Sequence, residues 1–209
     1  MKLNLTNIAN ILRDIRDYVF PLKRITNKFG SINSKKDLKN FIQERSAHVT
    51  QTTLYGYLKT RIGTRYAMMF EDAVFLKSIN LAKWNIYMAA LADCTLYVFS
   101  YLIDKKNLKQ NDALEIFIEI IENEKKNGLE DKLFEDTKLE FTQRIKNIDW
   151  KTHHNVNPFK SSSHSLYKWA PIADNLKILD KEIVLNSIQL KWNLVENEFK
   201  DFTKNLSFD

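Results

Sequence analysis

The chain has 209 residues, of which 44% are hydrophobic and 28% are charged, and both fractions are ordinary for a folded globular protein. It contains only 4 Gly and 3 Pro, which argues against a loop-rich or all-β chain. Cys94 is the single cysteine, so an intrachain disulfide and a thiolate metal cluster are excluded.

The net charge of +6 is unevenly distributed. Residues 1–65 hold 13 Lys/Arg and 4 Asp/Glu, whereas the remaining residues hold 19 Lys/Arg and 22 Asp/Glu. A basic first third predicts an anionic partner, which would be an anionic small molecule, an acidic protein or a membrane surface. The alternative is that these basic residues face the acidic remainder of their own chain.

The first predicted helix begins at Asn4 or Thr6. It ends before Pro21, because the residue before a proline is driven out of the helical region. Its apolar residues recur at helical spacing on one side, at Ile8, Ile11, Leu12, Ile15 and Val19.

A second, long helix is predicted from Ser34 to about Arg61. Ser34 and Asp37 form a capping-box pattern at its start, and Gly63 supplies the left-handed residue that often follows a helix end. The next helix is predicted from Tyr66 to about Ile79, with a bend at Asn80 or Lys83.

The segment from Trp84 to Ile103 is the most apolar part of the chain, and its only formal charge is Asp93. Its length of roughly 20 residues is that of a bilayer span. A central Asp costs about 2.5–3.5 kcal/mol in a membrane, however, and the aromatic residues are distributed along the segment rather than gathered at its ends. The pattern therefore favours a buried core helix over a membrane span.

The remainder predicts further helices. Leu114–Ile121 and Leu129–Ile148 repeat at helical spacing on either side of Gly128, which predicts an antiparallel hairpin whose first helix is capped by Asn111. Residues 149–165 are non-periodic. A short helix is predicted after Pro171 and up to Leu179, and a final long helix begins at Asp180. Its apolar side includes Ile183, Ile188, Leu194 and Phe199.

The sequence thus predicts an all-α fold, in which a single domain of six to eight helices is arranged around a central apolar helix at residues 84–103.

Several reaction classes are excluded by missing motifs. Glycines occur only at positions 30, 56, 63 and 128, so the chain has no phosphate loop and no dinucleotide fingerprint. It also lacks the G-x-S-x-G elbow of α/β-hydrolases, the H-E-x-x-H motif of zincins and the paired E-x-x-H motifs of di-iron bundles. No cofactor is predicted.

Cationic and aromatic residues directly precede the apolar segment, and we take them as candidates for an anion-binding site. Arg offers a planar donor fork, Lys a mobile charge, and Tyr a wall with a hydroxyl donor. The competing prediction is structural: Arg61 or Arg65 pairs with Glu71, Asp72 or Asp93, because a buried lone carboxylate is costly. The ligand-binding candidates are His48, Gln51, Tyr55, Lys59, Arg61, Arg65, Tyr66 and Asp93.

Two histidine groups invite a catalytic or metal interpretation. Glu44 and His48 are four residues apart on one helical face and suit a base with its orienting acid, or two metal ligands. The alternative is a hydrogen-bonded structural histidine. His153, His154 and His164 lie in the non-periodic segment, where a polar loop is favoured over a metal site. No metal is predicted.

The chain also resembles an uncharacterised family of alphaproteobacterial proteins. The resemblance is carried by Gln51–Arg61, Gly63–Tyr66, Met69–Asp72, Ala82–Trp84 and Trp169–Asp174, and it spans nearly the whole length. Members of that family are sometimes labelled esterase, so the resemblance implies an esterase-like activity without implying catalytic residues.

The leading functional prediction is a non-catalytic binding or adaptor protein. Its predicted location is the cytoplasm, either free or peripheral to the inner membrane, because charged residues interrupt any signal-peptide pattern at the N-terminus. The alternative is an atypical hydrolase in which Arg61 and Arg65 bind an anionic substrate and His48 is the base. Nucleic-acid binding comes third, because the basic residues form no recognised motif.

Overall fold

The computed structural model describes residues 31–106, 112–204 and 206, and these residues form helices without any strand. The α-helices are α1 (Lys35–Ile62), the short α2 (Tyr66–Met69), α3 (Ala73–Lys106), α4 (Asp112–Lys125), α5 (Asp131–Asn147), α6 (Lys160–Trp169) and α7 (Asp174–Phe202). Short 3₁₀ turns lie at Gly63–Arg65 and His153–Asn155. The prediction of an all-α helical bundle is confirmed.

Helix α3 is the centre of the bundle. Every residue from Ala90 to Ser100 on this helix is buried. Helices α1, α4, α5 and α6 pack around α3, and α7 lies across α1 and α6. The helix is longer than predicted because neither Asn80 nor Lys83 bends it. No Pro or Gly interrupts residues 73–106, so the predicted separate helix at Tyr66–Ile79 is wrong.

Helix α3 is long and apolar enough to cross a membrane when judged by length and composition alone. Its most apolar 18-residue window has a mean hydropathy of 1.6, and 83% of that window is buried inside the protein. Burial to this extent is what a core helix shows, and localisation stays a prediction.

Helix α1 begins and ends as the sequence predicts. The Ser34 hydroxyl oxygen accepts the Asp37 N–H at 3.1 Å, and the Asp37 carboxylate accepts the Asn33 N–H at 3.2 Å in return. At the other end, Gly63 has a φ of +63°, and its N–H donates to the Lys59 carbonyl. Both ends therefore follow from local hydrogen bonding.

The predicted helical hairpin around Gly128 is also present, formed by α4 and α5. Gly128 has a φ of +98°, a backbone conformation that favours glycine. The Phe117 and Phe141 rings stack across the two helices with centroids 3.7 Å apart. The predicted cap at Asn111 and the predicted first helix, Asn4 to Phe20, lie outside the described residues.

Two boundaries in the C-terminal part differ from the prediction. Helix α6 begins at Lys160, inside the segment predicted to be non-periodic. Helix α7 begins at Asp174, and Asp180 is an interior residue with 3% exposure rather than a cap. An Asp before an apolar run predicts a helix start, but here the carboxylate serves a buried contact with Arg61.

We expect Ser34→Ala to lower the free energy of unfolding by about 1 kcal/mol, because it removes the acceptor for the Asp37 N–H. Urea unfolding measures the change. Ser78→Ala is the control, since the Ser78 hydroxyl donates only to the Val74 carbonyl of its own helix. Equal stability of Ser34→Ala and the unchanged protein would contradict the assigned cap.

Candidate functional site

The structure does not assemble the eight predicted candidate residues into one site. Both Arg61 and the Tyr57 hydroxyl bind the buried Asp180 carboxylate on α7, with Tyr57 donating at 2.9 Å. Arg61 is therefore paired internally, as the structural alternative predicts, although its partner is not Glu71, Asp72 or Asp93. Lys59 and Arg65 are exposed.

Tyr55 and Tyr66 pack around Phe70. The Tyr66 and Phe70 rings meet edge-on with centroids 5.1 Å apart, and Tyr55 stacks on Phe70 at 6.4 Å. Burial raises the pKa of Tyr66 to about 12 and also raises the pKa of Tyr55. These tyrosines therefore belong to an aromatic cluster that holds α2 against α1.

His48 and Gln51 lie on α1. Burial lowers the pKa of His48, and the nearby Arg45 and Lys191 lower it further. His48 Nδ1 and Gln51 Oε1 are buried, and neither has a hydrogen-bond partner within the part of the chain that the structure describes. His48 is therefore a neutral side chain with one ring nitrogen closed off from solvent.

Much of the positive charge on α1 is balanced within the chain. Four basic side chains of this helix form ion pairs with acidic residues of α4 and α7: Lys35–Asp112, Lys39–Glu119, Arg45–Glu198 and Arg61–Asp180. Arg45 binds Glu198 through two parallel contacts of 2.6 Å. These four residues of the described part of the basic third thus face the acidic remainder of the chain, as the alternative to an external anionic partner predicts.

Asp93 is fully buried at the centre of the bundle and has two partners. Its Oδ1 accepts from an Arg144 guanidinium nitrogen on α5 at 2.6 Å, and its Oδ2 accepts the Ser162 N–H at the start of α6 at 2.7 Å. Burial raises the pKa of Asp93, and Arg144 and the Ser162 N–H oppose the rise because they stabilise the charged form. The expected arginine partner is present, but it is Arg144 rather than Arg61 or Arg65.

Arg144 extends from this contact into a groove between α5 and α6, which we call the α5–α6 groove. The floor is the α3 surface around Met88, Ala89 and Ala92, and the cavity volume is about 430 Å³. The α5 wall carries Leu133, Asp136, Thr137, Glu140, Phe141 and Arg144, and the α6 wall carries Ser161, His164, Ser165, Lys168 and Trp169. A second cavity of about 430 Å³ continues past Trp169 towards Lys77.

Three charged residues of the groove are unpaired, in contrast to Arg144. Asp136 and Glu140 on α5, and Lys168 on α6, form no ion pair with any residue in the described ranges. Lys168 lies over the ring of Trp169, with Nζ 5.1 Å from the ring centroid. The groove can therefore offer donors and acceptors of both signs to a ligand.

The sequence analysis named His164 but did not single out Asp136, Glu140, Arg144 or Lys168, which also line this groove. The signal was present on α5, where Asp136, Glu140 and Arg144 follow at four-residue spacing. It was also present on α6, where Ser161, His164 and Lys168 follow at spacings of three and four residues. Each row by itself is typical of a solvated helix face. The two rows line the same groove only because α5 and α6 both pack on α3, and helical periodicity does not show this packing.

Another cleft, of about 400 Å³, lies between α1 and α7 beside the Arg61–Asp180 pair. The hydroxyls of Thr52, Thr60 and Ser187 in its walls donate to carbonyls of their own helices. These hydroxyl groups already donate their hydrogens within the protein. The α5–α6 groove is the better candidate site because its lining includes the unpaired charges of Asp136, Glu140 and Lys168.

Ser100, His154 and Asp104 lie close together but do not form a catalytic triad. The Ser100 hydroxyl donates to the Trp150 carbonyl at 2.8 Å, and the residue has no exposed surface. His154 Nδ1 lies 3.1 Å from the same hydroxyl oxygen, and His154 Nε2 is 3.7 Å from Asp104. A buried serine whose proton is already bound cannot act as a nucleophile on a substrate.

Within the described residues, no group of three or more His, Cys, Asp or Glu side chains is placed to hold a metal ion. This applies both to the Glu44–His48 pair and to His153, His154 and His164.

No protein-family model matches the chain, and no curated protein or solved structure matches it either. The resemblance to an alphaproteobacterial family and its esterase label therefore stays a hypothesis.

We expect Asp93→Ala to lower the free energy of unfolding by about 3–5 kcal/mol, because it leaves the Arg144 guanidinium and the Ser162 N–H without their shared acceptor. Urea unfolding at neutral pH measures this change. Asp136→Ala, an exposed change on α5, is the control and should fall within about 0.5 kcal/mol of the unchanged protein. Similar values for the two variants would contradict a structural role of Asp93.

Stability should also fall as the pH is lowered from about 6.5 to about 4. Burial lowers the pKa of His153 to about 4 from its ordinary value of 6.5. In this range the unfolded chain therefore binds a proton to His153 at a higher pH than the folded protein does. The free energy of unfolding consequently decreases as the pH is lowered. His153→Gln should reduce the fall, whereas His164→Gln, an exposed change, should not. Denaturant unfolding at several pH values tests this expectation, and an equal fall in all three proteins would contradict it.

Proposed function

We propose that the protein is a non-catalytic binding protein and that the α5–α6 groove holds a small ligand with both an anionic and a cationic group. One observation carries the proposal: Asp136 and Glu140 on α5 and Lys168 on α6 line one cavity of about 430 Å³ and form no ion pair within the described residues. Small-molecule sites commonly have volumes of roughly 300–1,000 Å³.

The anionic group of the ligand is assigned to the Arg144 and Lys168 side. Asp93 fixes the Arg144 guanidinium from below, and 22% of the Arg144 side chain remains exposed. An arginine that is already oriented loses little freedom on binding, and its planar fork suits a carboxylate or phosphate. Lys168 adds a second cation from the opposite wall.

The cationic group is assigned to Asp136 and Glu140. These carboxylates lie one helical turn apart on α5, so both face the same cavity. They would repel an anion without a counter-charge, which makes a purely anionic ligand less suitable than one of mixed charge.

The uncharged part of the ligand is assigned to the floor and the Trp169 wall. Ala89 and Ala92 are small enough to leave space above α3, and Met88 offers an apolar surface that adapts to shape. The cavity that continues past Trp169 gives room for a longer ligand.

The alternative function, an atypical hydrolase with His48 as its base, has less support. His48 Nδ1 is buried, and Arg61 is bound to Asp180 rather than open to a substrate. Ser46, the serine nearest to His48 in sequence, is fully buried and donates to the Ala90 carbonyl.

We also propose a cytoplasmic location, either free or peripheral to the inner membrane. Binding to an acidic protein, a membrane surface or a nucleic acid has less support than a groove ligand, because four basic residues of α1 are already paired within the chain.

The test is a two-dimensional amide NMR titration with phosphoethanolamine, which carries both charges, and separately with inorganic phosphate and ethanolamine. We expect phosphoethanolamine to shift the resonances of Ala89, Ala92 and Ser165, and to bind more tightly than either single-charge probe. Lys168→Gln and Glu140→Gln should each weaken binding by about tenfold, which corresponds to about 1.4 kcal/mol.

Glu135→Gln and Lys146→Gln are matched controls, because both residues are exposed on α5 but do not line the groove. They should bind the probe as the unchanged protein does. Shifts that are absent from the groove, or equally strong binding by Lys168→Gln, would contradict the proposal.

A further inference from the structure

An exposed row of large aliphatic side chains runs along α7, on the side away from its buried face. Its members are Leu179, Ile183, Leu190 and Leu194, with exposures of 75%, 71%, 65% and 63%. At 100° per residue they fall within about 60° of arc, and they span about 22 Å along the helix. We call this set the α7 outer row.

The outer row is not the face that α7 uses inside the bundle. Val184, Ile188, Trp192, Val195 and Phe199 are buried on the other side of the helix. Single exposed aliphatic residues are ordinary, but four in a row at helical spacing are typical of a helix–helix interface. Amide side chains, not a dense set of charges, share the outer face: Asn186, Gln189, Asn193 and Asn197.

The spacing of the outer row is symmetric. Its intervals are four, seven and four residues, so the row is the same in both directions about a midpoint between Asn186 and Ser187. A two-fold symmetric dimer requires a self-complementary surface of this kind. We propose that α7 pairs antiparallel with α7 of a second copy of the chain, with Leu179 against Leu194 of the partner subunit and Ile183 against Leu190 of the partner subunit.

The charges of α7 do not oppose this pairing. Glu182 and Lys191 lie at equal distances on either side of the midpoint, so the two copies of each residue are about 13 Å apart along the helix axis. That separation exceeds the Debye length of about 8 Å at physiological ionic strength. Asn186 and Ser187 at the midpoint are small and uncharged, which allows the two helices to approach closely.

The area sets the expected strength of the dimer. Four aliphatic side chains bury roughly 100 Å² each, which is about half of the 800 Å² per partner in a standard interface. The flanking amides supply part of the remainder. The dimer is therefore a weak one, with a dissociation constant in the micromolar range.

Sedimentation equilibrium of the full chain from about 5 to about 500 μM tests the association. We expect the weight-average mass to rise towards two chains as the concentration increases. Leu190→Asp should weaken association at least tenfold. Leu139→Asp is the control, because Leu139 is 61% exposed on α5 and lies outside the outer row.

Cysteine pairing tests the orientation. Cys94 is buried, so an introduced thiol is the accessible one. Under mild oxidation, a mixture of Leu179→Cys and Leu194→Cys should form disulfide-linked dimers, whereas each variant alone should not, because its two copies would lie about 22 Å apart.

Disulfides formed by each variant alone would overturn the antiparallel arrangement. A protein that stays monomeric at every concentration would overturn the dimer. The outer row would then contact another partner, which would be residues 1–30 of the same chain or a membrane surface. Unchanged association in Leu190→Asp would also contradict the proposal.

Discussion

The fold depends on one buried carboxylate. Asp93 lies in the middle of the most apolar helix with no exposed surface, where an unpaired charge would cost several kcal/mol. Two other helices supply the hydrogen bonds that this carboxylate needs: Arg144 on α5 and the Ser162 N–H on α6 both donate to it. The Ser162 hydroxyl in turn accepts the Trp192 indole N–H of α7 at 3.0 Å. Asp93 thus joins α3 to α5 and α6 through its own hydrogen bonds, and Ser162 joins α6 to α7.

The same constraint gives the α5–α6 groove its chemistry. Arg144 cannot leave Asp93 without leaving a buried charge unpaired, so its guanidinium stays at one place in the groove. The position of the Arg144 guanidinium in the groove is therefore fixed by a buried core residue. Lys168, Asp136 and Glu140, in contrast, are exposed on the surfaces of their own helices. A binding site that shares a residue with the core keeps its geometry for as long as the protein is folded.

Features that depend on residues close in sequence, such as the two ends of α1, were predicted correctly. Contacts between residues far apart in sequence were not. The cap at Ser34 and the turn at Gly63 follow from local hydrogen bonds and backbone conformation, and both were predicted. An ion pair between Asp93 and an arginine was also predicted, because an unpaired buried carboxylate is costly. Which arginine pairs with Asp93 was not predicted, because Arg144 lies 51 residues away on another helix and helical periodicity does not rank long-range pairs. Asp180 was mistaken for a helix cap for the same reason, since Arg61 binds it from 119 residues away.

Helix α7 carries apolar residues on two different faces, and the sequence analysis assigned them to a single apolar side. Ile183, Ile188, Leu194 and Phe199 were assigned to one apolar side from the sequence, but only Ile188 and Phe199 are buried. A helix with one apolar stripe needs one neighbour, and α7 has two stripes on different sides. The inner stripe packs on α1 and α6, whereas the outer stripe is exposed, and this exposure is the basis of the proposed pairing with a second chain. The residues that line the α5–α6 groove all lie on α3, α5 and α6, so pairing through α7 leaves the walls of that groove unchanged. The proposed association and the proposed ligand binding would therefore use separate surfaces of the same bundle.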